Sequence, residues 1–230
     1  MISVIIPAYN VRKTIDRCLR SLWGQTYKNF EVIVVNDGSK DGTRGKLEMA
    51  KRAWGERMRI VHQQNQGAPA ARNRGAKEAK GEYLIFCDAD IVMEPDCLLK
   101  MLHILEAHPK SAYVYSSFKF GWKAFDNLPF NPERLRQMPF IHTTSLIRRE
   151  CFPGFDETMT RFQDWDIWLT MLEAGHTGYW IPKILFQIVN TKGTMSSWLP
   201  SFMYRLPWKL PAVRRYEEAV ARIKEKHHLT

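Results

Sequence analysis

Phe30-Glu-Val-Ile-Val-Val-Asn-Asp-Gly-Ser-Lys-Asp-Gly-Thr43 is the stretch whose reading decides the fold. Its first six residues form an apolar, β-branched run of the kind found in strands buried on both faces. The run stops at Asn36-Asp-Gly-Ser39, a cluster of turn formers. Asp41, Gly42 and Thr43 then supply the start of a helix through about Trp54. A strand that turns straight into a helix is half of a βαβ unit, and the flanking sequence repeats it. Ser3-Val-Ile-Ile-Pro7 is a second buried strand. After it, Ile15, Cys18, Leu19, Leu22 and Trp23 recur at i, i+3, i+4, i+7 and i+8, one face of a helix. Met58–His62 and Glu82–Cys87 read as strands, Gly67–Ala79 and the segment from Pro95 as helices. The order βαβαβαβ up to residue 107 calls for a parallel sheet with right-handed crossovers.

The Gly67–Ala79 helix carries Ala68, Ala71, Gly75 and Ala79 as a small-residue face, so its backbone is expected to pack very close to its neighbour. Past residue 110 the pattern changes. Ala112–Phe120, Ile141–Arg148 and Gly178–Asn190 read as strands, while Gly121–Pro139 is aromatic without a clear period. Trp165, Trp168, Leu169 and Leu172 mark a helix with Asp164 in its first turn. A charged helix begins near Arg214.

Composition narrows the class. The 230 residues are 45% apolar and 12% aromatic, ample for one folded domain. No apolar run reaches the roughly 18 residues of a membrane span, and Ile2–Ile6 lacks the basic leader of a signal peptide. A soluble cytoplasmic protein is expected. Cys18, Cys87, Cys97 and Cys151 have no CxxC spacing, which favours free buried thiols over a zinc site or redox pair. The net charge of +10 suits phosphate-bearing substrates, an anionic bilayer or nucleic acid. Without zinc-finger spacing or an RNA-binding aromatic signature, nucleic acid is the weakest of the three. G-x-G-x-x-G and G-x-x-x-x-G-K-[ST] are both absent, which disfavours dinucleotide oxidoreductases and P-loop enzymes.

In an open α/β sheet, ligands sit beyond the carboxyl ends of the strands. Three polar loops should meet there: Pro7-Ala-Tyr-Asn10, Asn36-Asp-Gly-Ser39 and Asp88-Ala-Asp90. Asp88 and Asp90, one residue apart at a strand end, can share a divalent ion that also holds substrate phosphates; a turn and helix cap explains the triplet equally simply. Asp37 can accept from a nucleoside or serve only as a turn residue. Tyr9 can stack on a base or cover the sheet end. Arg72 and Asn73 can reach phosphates or a base, or stay on the helix surface. Asp164 and Asp166 lie about 200° apart around their helix, so only one can face a cleft, and a carboxylate at a helix start is often just a cap.

Taken together, these segments resemble the family 2 glycosyltransferases, which have the GT-A fold. The matching residues are Ser3–Asn10, Val34–Thr43, Asn65-Gln-Gly67 with Ala71-Arg-Asn-Arg-Gly75, Asp88-Ala-Asp90, Gly154-Phe-Asp-Glu157 and Gln163-Asp-Trp-Asp166. The order and spacing match over roughly residues 1–190. The resemblance implies an α/β GT-A architecture, with a parallel-dominated nucleotide-binding sheet flanked by helices and a smaller acceptor-side sheet. Residues 1–110 would be the nucleotide-sugar half and 111–197 the acceptor half, followed by a basic, aromatic arm and helix at 198–230. It also implies an inverting transferase moving a sugar from a nucleotide-diphospho-sugar, by default a UDP-sugar, to a hydroxyl of a saccharide, lipid-linked or protein acceptor. Pro7, Ala8, Tyr9, Asp37, Gly67, Arg72, Asp88 and Ala89 would bind the nucleotide-sugar. Asp90 with Asp88 would hold Mn2+ or Mg2+, and Asp164 would be the catalytic base. His142 and Trp165 would lie on the acceptor side, His142 being as readily a structural hydrogen-bonder as an acceptor contact.

Two positions depart from the family pattern. Gln163 stands where Glu is common. No histidine occurs in Ile188–Ser197, where Lys192 is the candidate for diphosphate contact instead. Trp122, Phe125 and Phe130, with Trp165, are either acceptor-stacking or core residues. The aromatic and basic residues of Trp198–Tyr216 suit either peripheral contact with an anionic bilayer or packing on the domain or a second subunit. A homodimer stays open on these grounds. The rival class is a degenerate nucleotide-sugar-binding protein without turnover.

Overall fold

The computed structural model describes residues 1–189 and 211–229. In chain order the elements are β1 (Ile2–Ala8), α1 (Ile15–Trp23), β2 (Phe30–Asp37), α2 (Thr43–Trp54), β3 (Met58–Gln63), α3 (Ala68–Glu78), β4 (Tyr83–Phe86), β5 (Ile91–Met93) and α4 (Cys97–Ala107). Then follow β6 (Tyr113–Phe120), β7 (Lys123–Phe125), α5 (Pro132–Gln137), β8 (Leu146–Arg148), α6 (Gln163–Glu173), β9 (Gly178–Ile188) and α7 (Pro211–Lys226).

One sheet runs in the order β3-β2-β1-β4-β8-β6-β9-β5, with β7 added to β6. As the alternation of elements requires, β3, β2, β1 and β4 are parallel. Strand β8 is antiparallel to both β4 and β6 and so joins the two halves of the chain into the same sheet. Strands β6 and β9 run parallel through a register shift near Ser117. Two apolar cores cover the faces. One packs α1, Leu47 and Trp54 of α2, and α4 against β1 and β2; the other gathers α3, α6 and Ile223 of α7.

The small-residue face of α3 behaves as expected. A Cβ on Gly75 would lie 2.4 Å from Ile5 Cγ2, so only glycine lets the helix sit this close to β1. The thiols are free: Cys18, Cys87 and Cys97 are buried, and Cys151 is half-buried.

Three readings of the sequence need correction. Ile141–Arg148 is a strand only over Leu146–Arg148, because His142–Ser145 closes a turn. In that turn Ser145 N–H donates to the Thr143 carbonyl at 2.8 Å and Ser145 Oγ to the His142 carbonyl at 2.7 Å. The short strand β5 was not anticipated. It pairs with β9 at the far end of the sheet from β4, although only Cys87–Asp90 separates it from β4 in the chain. The sheet therefore curls, and Asp88–Asp90 spans the gap. Trp165 is 2% exposed in the core, its indole N–H donating to the Leu135 carbonyl at 2.6 Å, so it offers no face to an acceptor. Of the other aromatics in question, Trp122 is 95% exposed, Phe130 packs on the core and Phe125 stacks on Phe118.

Candidate active site

Because β1, β2 and β4 are parallel, their carboxyl ends bring the three suspected loops to one edge. Side chains lace two of these loops together. Ser39 Oγ donates to the Ala8 carbonyl at 3.3 Å and accepts from Asn10 N–H at 3.0 Å. Val11 N–H donates to Thr43 Oγ1 at 2.9 Å. Pro7 is half-buried, Ala8 buried, and Tyr9 exposed at the mouth.

Asp37 is 2% exposed and is the hub beneath this edge. Its Oδ1 accepts from Gln63 Nε2 at 2.8 Å and from Gln66 N–H at 2.9 Å. Its Oδ2 accepts from Gly67 N–H at 2.9 Å. A carboxylate is the one side-chain group that satisfies three converging donors without bringing a donor of its own. Oδ2 retains capacity for one more. Gly67, at φ +91°, caps α3, so Asp37 also fixes the start of the helix that carries Arg72.

Arg72 is 5% exposed and bridges two elements. Its Nη2 donates to Asp88 Oδ1 at 2.7 Å and its Nη1 to Gln163 Oε1 at 2.8 Å. The neutral amide at 163 is thus an acceptor for Arg72, leaving Asp88 as the one carboxylate that the guanidinium bonds directly among the described residues. Burial works against ionisation of Asp88, but Arg72 prevails and holds its carboxyl below the usual range. The turn that presents the pair of aspartates is pinned on both sides. Cys87 N–H donates to the Ile5 carbonyl at 2.9 Å, Ile91 N–H to the Asp88 carbonyl at 3.0 Å and Val189 N–H to the Asp90 carbonyl at 2.9 Å. Ala89 is buried between the two aspartates.

Asp90 has no cationic partner among the described residues; burial and the adjacent Asp88 charge push its carboxyl up to about 6. Such a carboxylate is one that a divalent cation would relieve. Among the described residues no group of three or more His, Cys, Asp or Glu side chains is arranged around a common ion position. The donor set of Asp90 and Asp88 Oδ2 fits Mg2+ or Mn2+, which take most of their ligands from water and substrate phosphates.

Asp164 enters from α6, whose start is set by Phe162 in the left-handed region at φ +57°. Asp164 Oδ1 accepts from Trp165 N–H at 2.9 Å. Burial pushes its carboxyl above the ordinary aspartate range, against the opposing Trp165 N–H and Arg72. Asp166, as the helical spacing requires, faces elsewhere: its Oδ1 lies 2.9 Å from His227 Nε2 and 2.6 Å from Lys226 Nζ on α7. The other nitrogen of His227 lies 2.8 Å from Glu173 Oε1, and Lys226 also reaches Asp156 at 2.8 Å. This clasp between α6 and α7 was not legible beforehand, since its members lie more than fifty residues apart. Lys192 and Trp198–Leu210 lie outside the described residues.

A curled α/β sheet with an acidic pair at the carboxyl edge defines a GT-A-type glycosyltransferase fold. Residues 3–162 match the model of glycosyl transferase family 2, and the chain belongs to that family. TuaG of Bacillus subtilis, whose name assigns it to teichuronic acid biosynthesis, is 30% identical over 224 residues, covering 89% of this chain and 87% of TuaG. An uncharacterized glycosyltransferase of Rickettsia felis is 31% identical over 192 residues, 76% of this chain but 32% of that protein; this chain thus matches about a third of its length. Among solved structures, S. aureus TarS 1–349 in complex with UDP-GlcNAc gives a TM-score of 0.73 at 21% identity, covering 98% of this chain and 72% of that one. The mannosyltransferase PcManGT of Pyrobaculum calidifontis, in complex with GDP-Man and Mn2+, gives 0.68 at 19% identity over 96% and 69%. Among the described residues no helix is long and apolar enough to cross a membrane.

Proposed function

We propose that this chain transfers a sugar from a nucleotide-diphospho-sugar to an acceptor hydroxyl with inversion at the anomeric carbon. The observation that carries the reading is the set of Asp88, Asp90 and Asp164 beyond the carboxyl ends of the parallel strands, with Asp88 held ionised by Arg72 while burial raises Asp90 and Asp164. Asp37 Oδ2, Tyr9 and the Pro7-Ala8 backbone receive the nucleoside. Asp88, held by Arg72, orients the donor. Asp90 and the free oxygen of Asp88 would hold Mn2+ or Mg2+, which when bound neutralises charge on the diphosphate. Asp164 takes the acceptor's proton as that oxygen attacks the anomeric carbon. The bond to the diphosphate breaks, and the nucleoside diphosphate leaves. A raised carboxyl pKa suits this role, because a stronger base takes a hydroxyl proton more readily at neutral pH.

UDP is the donor nucleotide we favour, supported by the TarS likeness, whose solved complexes hold UDP and UDP-GlcNAc. The match with TuaG over 89% of this chain, with the teichuronic acid biosynthesis in its name, supports a growing polysaccharide as acceptor. A thermal-shift series with UDP-glucose, UDP-N-acetylglucosamine and GDP-mannose, each with and without Mn2+, tests the donor site. A ligand at 100 times its Kd adds about 2.7 kcal/mol of stability. The expected result is an Mn2+-dependent shift that Asp90→Ala abolishes; no shift with any donor in folded protein overturns the reading.

A further inference from the structure

His142 sits in the turn that the sequence suggested was a strand, and everything around it holds its ring still. Thr144 N–H donates to His142 Nδ1 at 3.0 Å. A backbone amide can only donate, so Nδ1 must be the unprotonated, accepting nitrogen, and the ring proton belongs on Nε2. The turn is itself anchored: Thr144 Oγ1 donates to the carbonyl of Phe86 at 3.0 Å, two residues before Asp88. The ring rests against Phe118 and Phe186, centroids 5.3 and 5.2 Å away, and these two stack on each other across β6 and β9. Its surface stays partly exposed, and no described residue accepts from Nε2. The charged groups acting on it are Asp88, Asp164 and Arg72; burial, the largest influence, moves its pKa down and favours the neutral ring.

We propose that His142 is a catalytic residue of the transfer, a fixed neutral imidazole whose Nε2–H donates to an oxygen of the sugar bound between Asp88 and Asp164. This rests on the glycosyl-transfer reading above and assigns that site a sugar-hydroxyl donor that Asp88, Asp90 and the base do not supply. Neutrality matters to the chemistry. An imidazolium beside Asp164 would draw its pKa down and weaken it as a base, whereas a neutral N–H orients a hydroxyl without doing so. A donor locked by its backbone and ring contacts also needs no reorganisation when the sugar arrives.

The test uses the full chain with UDP-glucose, UDP-N-acetylglucosamine and GDP-mannose plus Mn2+, following donor hydrolysis with water as acceptor. His142→Phe keeps the packing on Phe118 and Phe186 but removes the N–H. It should lower kcat roughly 10²-fold, the usual effect of losing one preorganised donor, with little change in UDP affinity. His142→Gln places an amide N–H where Nε2 lies and should recover most of that loss. Long-range 1H–15N correlation on wild type at pH 7 should show the neutral Nε2–H tautomer. If His142→Phe stays within about threefold of wild type, if His142→Gln is no better than His142→Phe, or if the resonance is that of imidazolium or an Nδ1–H ring, the proposal is wrong. Wild type that hydrolyses none of the donors would instead overturn the glycosyl-transfer reading, and this assignment with it.

Discussion

Replacing Asp37 with Asn should unsettle the nucleotide edge by an amount the geometry lets one work out. Three donors converge on the carboxylate, at 2.8, 2.9 and 2.9 Å, and two of them are backbone amides that cannot turn away. The best orientation of an Asn places its oxygen at the Oδ1 position, keeping Gln63 and Gln66. Its NH2 then confronts Gly67 N–H, donor against donor, and that amide loses its acceptor. The two surviving bonds also lose their charge assistance. Hydrogen bonds to a charged group contribute about 1.5–3 kcal/mol each and neutral ones about 1 kcal/mol. One lost and two weakened bonds, taken at the low end of these values, therefore give a destabilisation of about 3 kcal/mol. For a chain of this size each kcal/mol moves Tm by about 2–4 °C, so calorimetry should record a fall of about 6–12 °C. The damage should extend to α3, since Gly67 caps it. A Tm within about 2 °C of wild type would show that these three bonds do not hold the loop.

Two further predictions concern pH. Activity should fall on the acid side as Asp164 takes up its proton, and because its carboxyl is raised, that limb should lie above the ordinary aspartate value of about 3.9; a kcat that stays flat down to pH 4 would refute the assignment. For stability, both nitrogens of His227 face carboxylates, so the clasp needs the imidazolium; burial opposes the charge, yet Asp166 and Glu173 raise the pKa. A raised folded value means that the stabilisation is complete below about pH 6.5 and is lost as pH rises through the folded pKa. Urea unfolding across that window should show the decline in wild type and its absence in His227→Gln.

The first half of the molecule was legible in the sequence because local signals agree there. Apolar runs such as Val32–Val35 can only be buried strands, and turn residues follow each of them. Parallel pairing then forces Ala8, Asp37 and Asp88 to a common edge. Gly75 was readable as a close-packing site because the small residues recur on one helical face. What escaped notice depends on distant partners. The curl of the sheet rests on three residues, Ile91–Met93, which are too few to carry a period. The turn at His142 is made by side-chain bonds within an apolar, β-branched stretch that reads as strand. Trp165 could be assigned to a cleft because nothing local reveals that Leu135 waits for its N–H. Gln163 looked like a missing acid until Arg72 appeared as its partner.

The most direct test of glycosyl transfer is donor turnover by Asp164→Asn beside wild type, with UDP affinity measured on both. Asn keeps the oxygen that accepts from Trp165 N–H, so the start of α6 should persist. Loss of a positioned base costs about 10²–10⁴ in rate, so turnover should drop at least 100-fold with UDP bound as tightly as before. Turnover that survives the substitution would remove Asp164 from the reaction and contradict the mechanism.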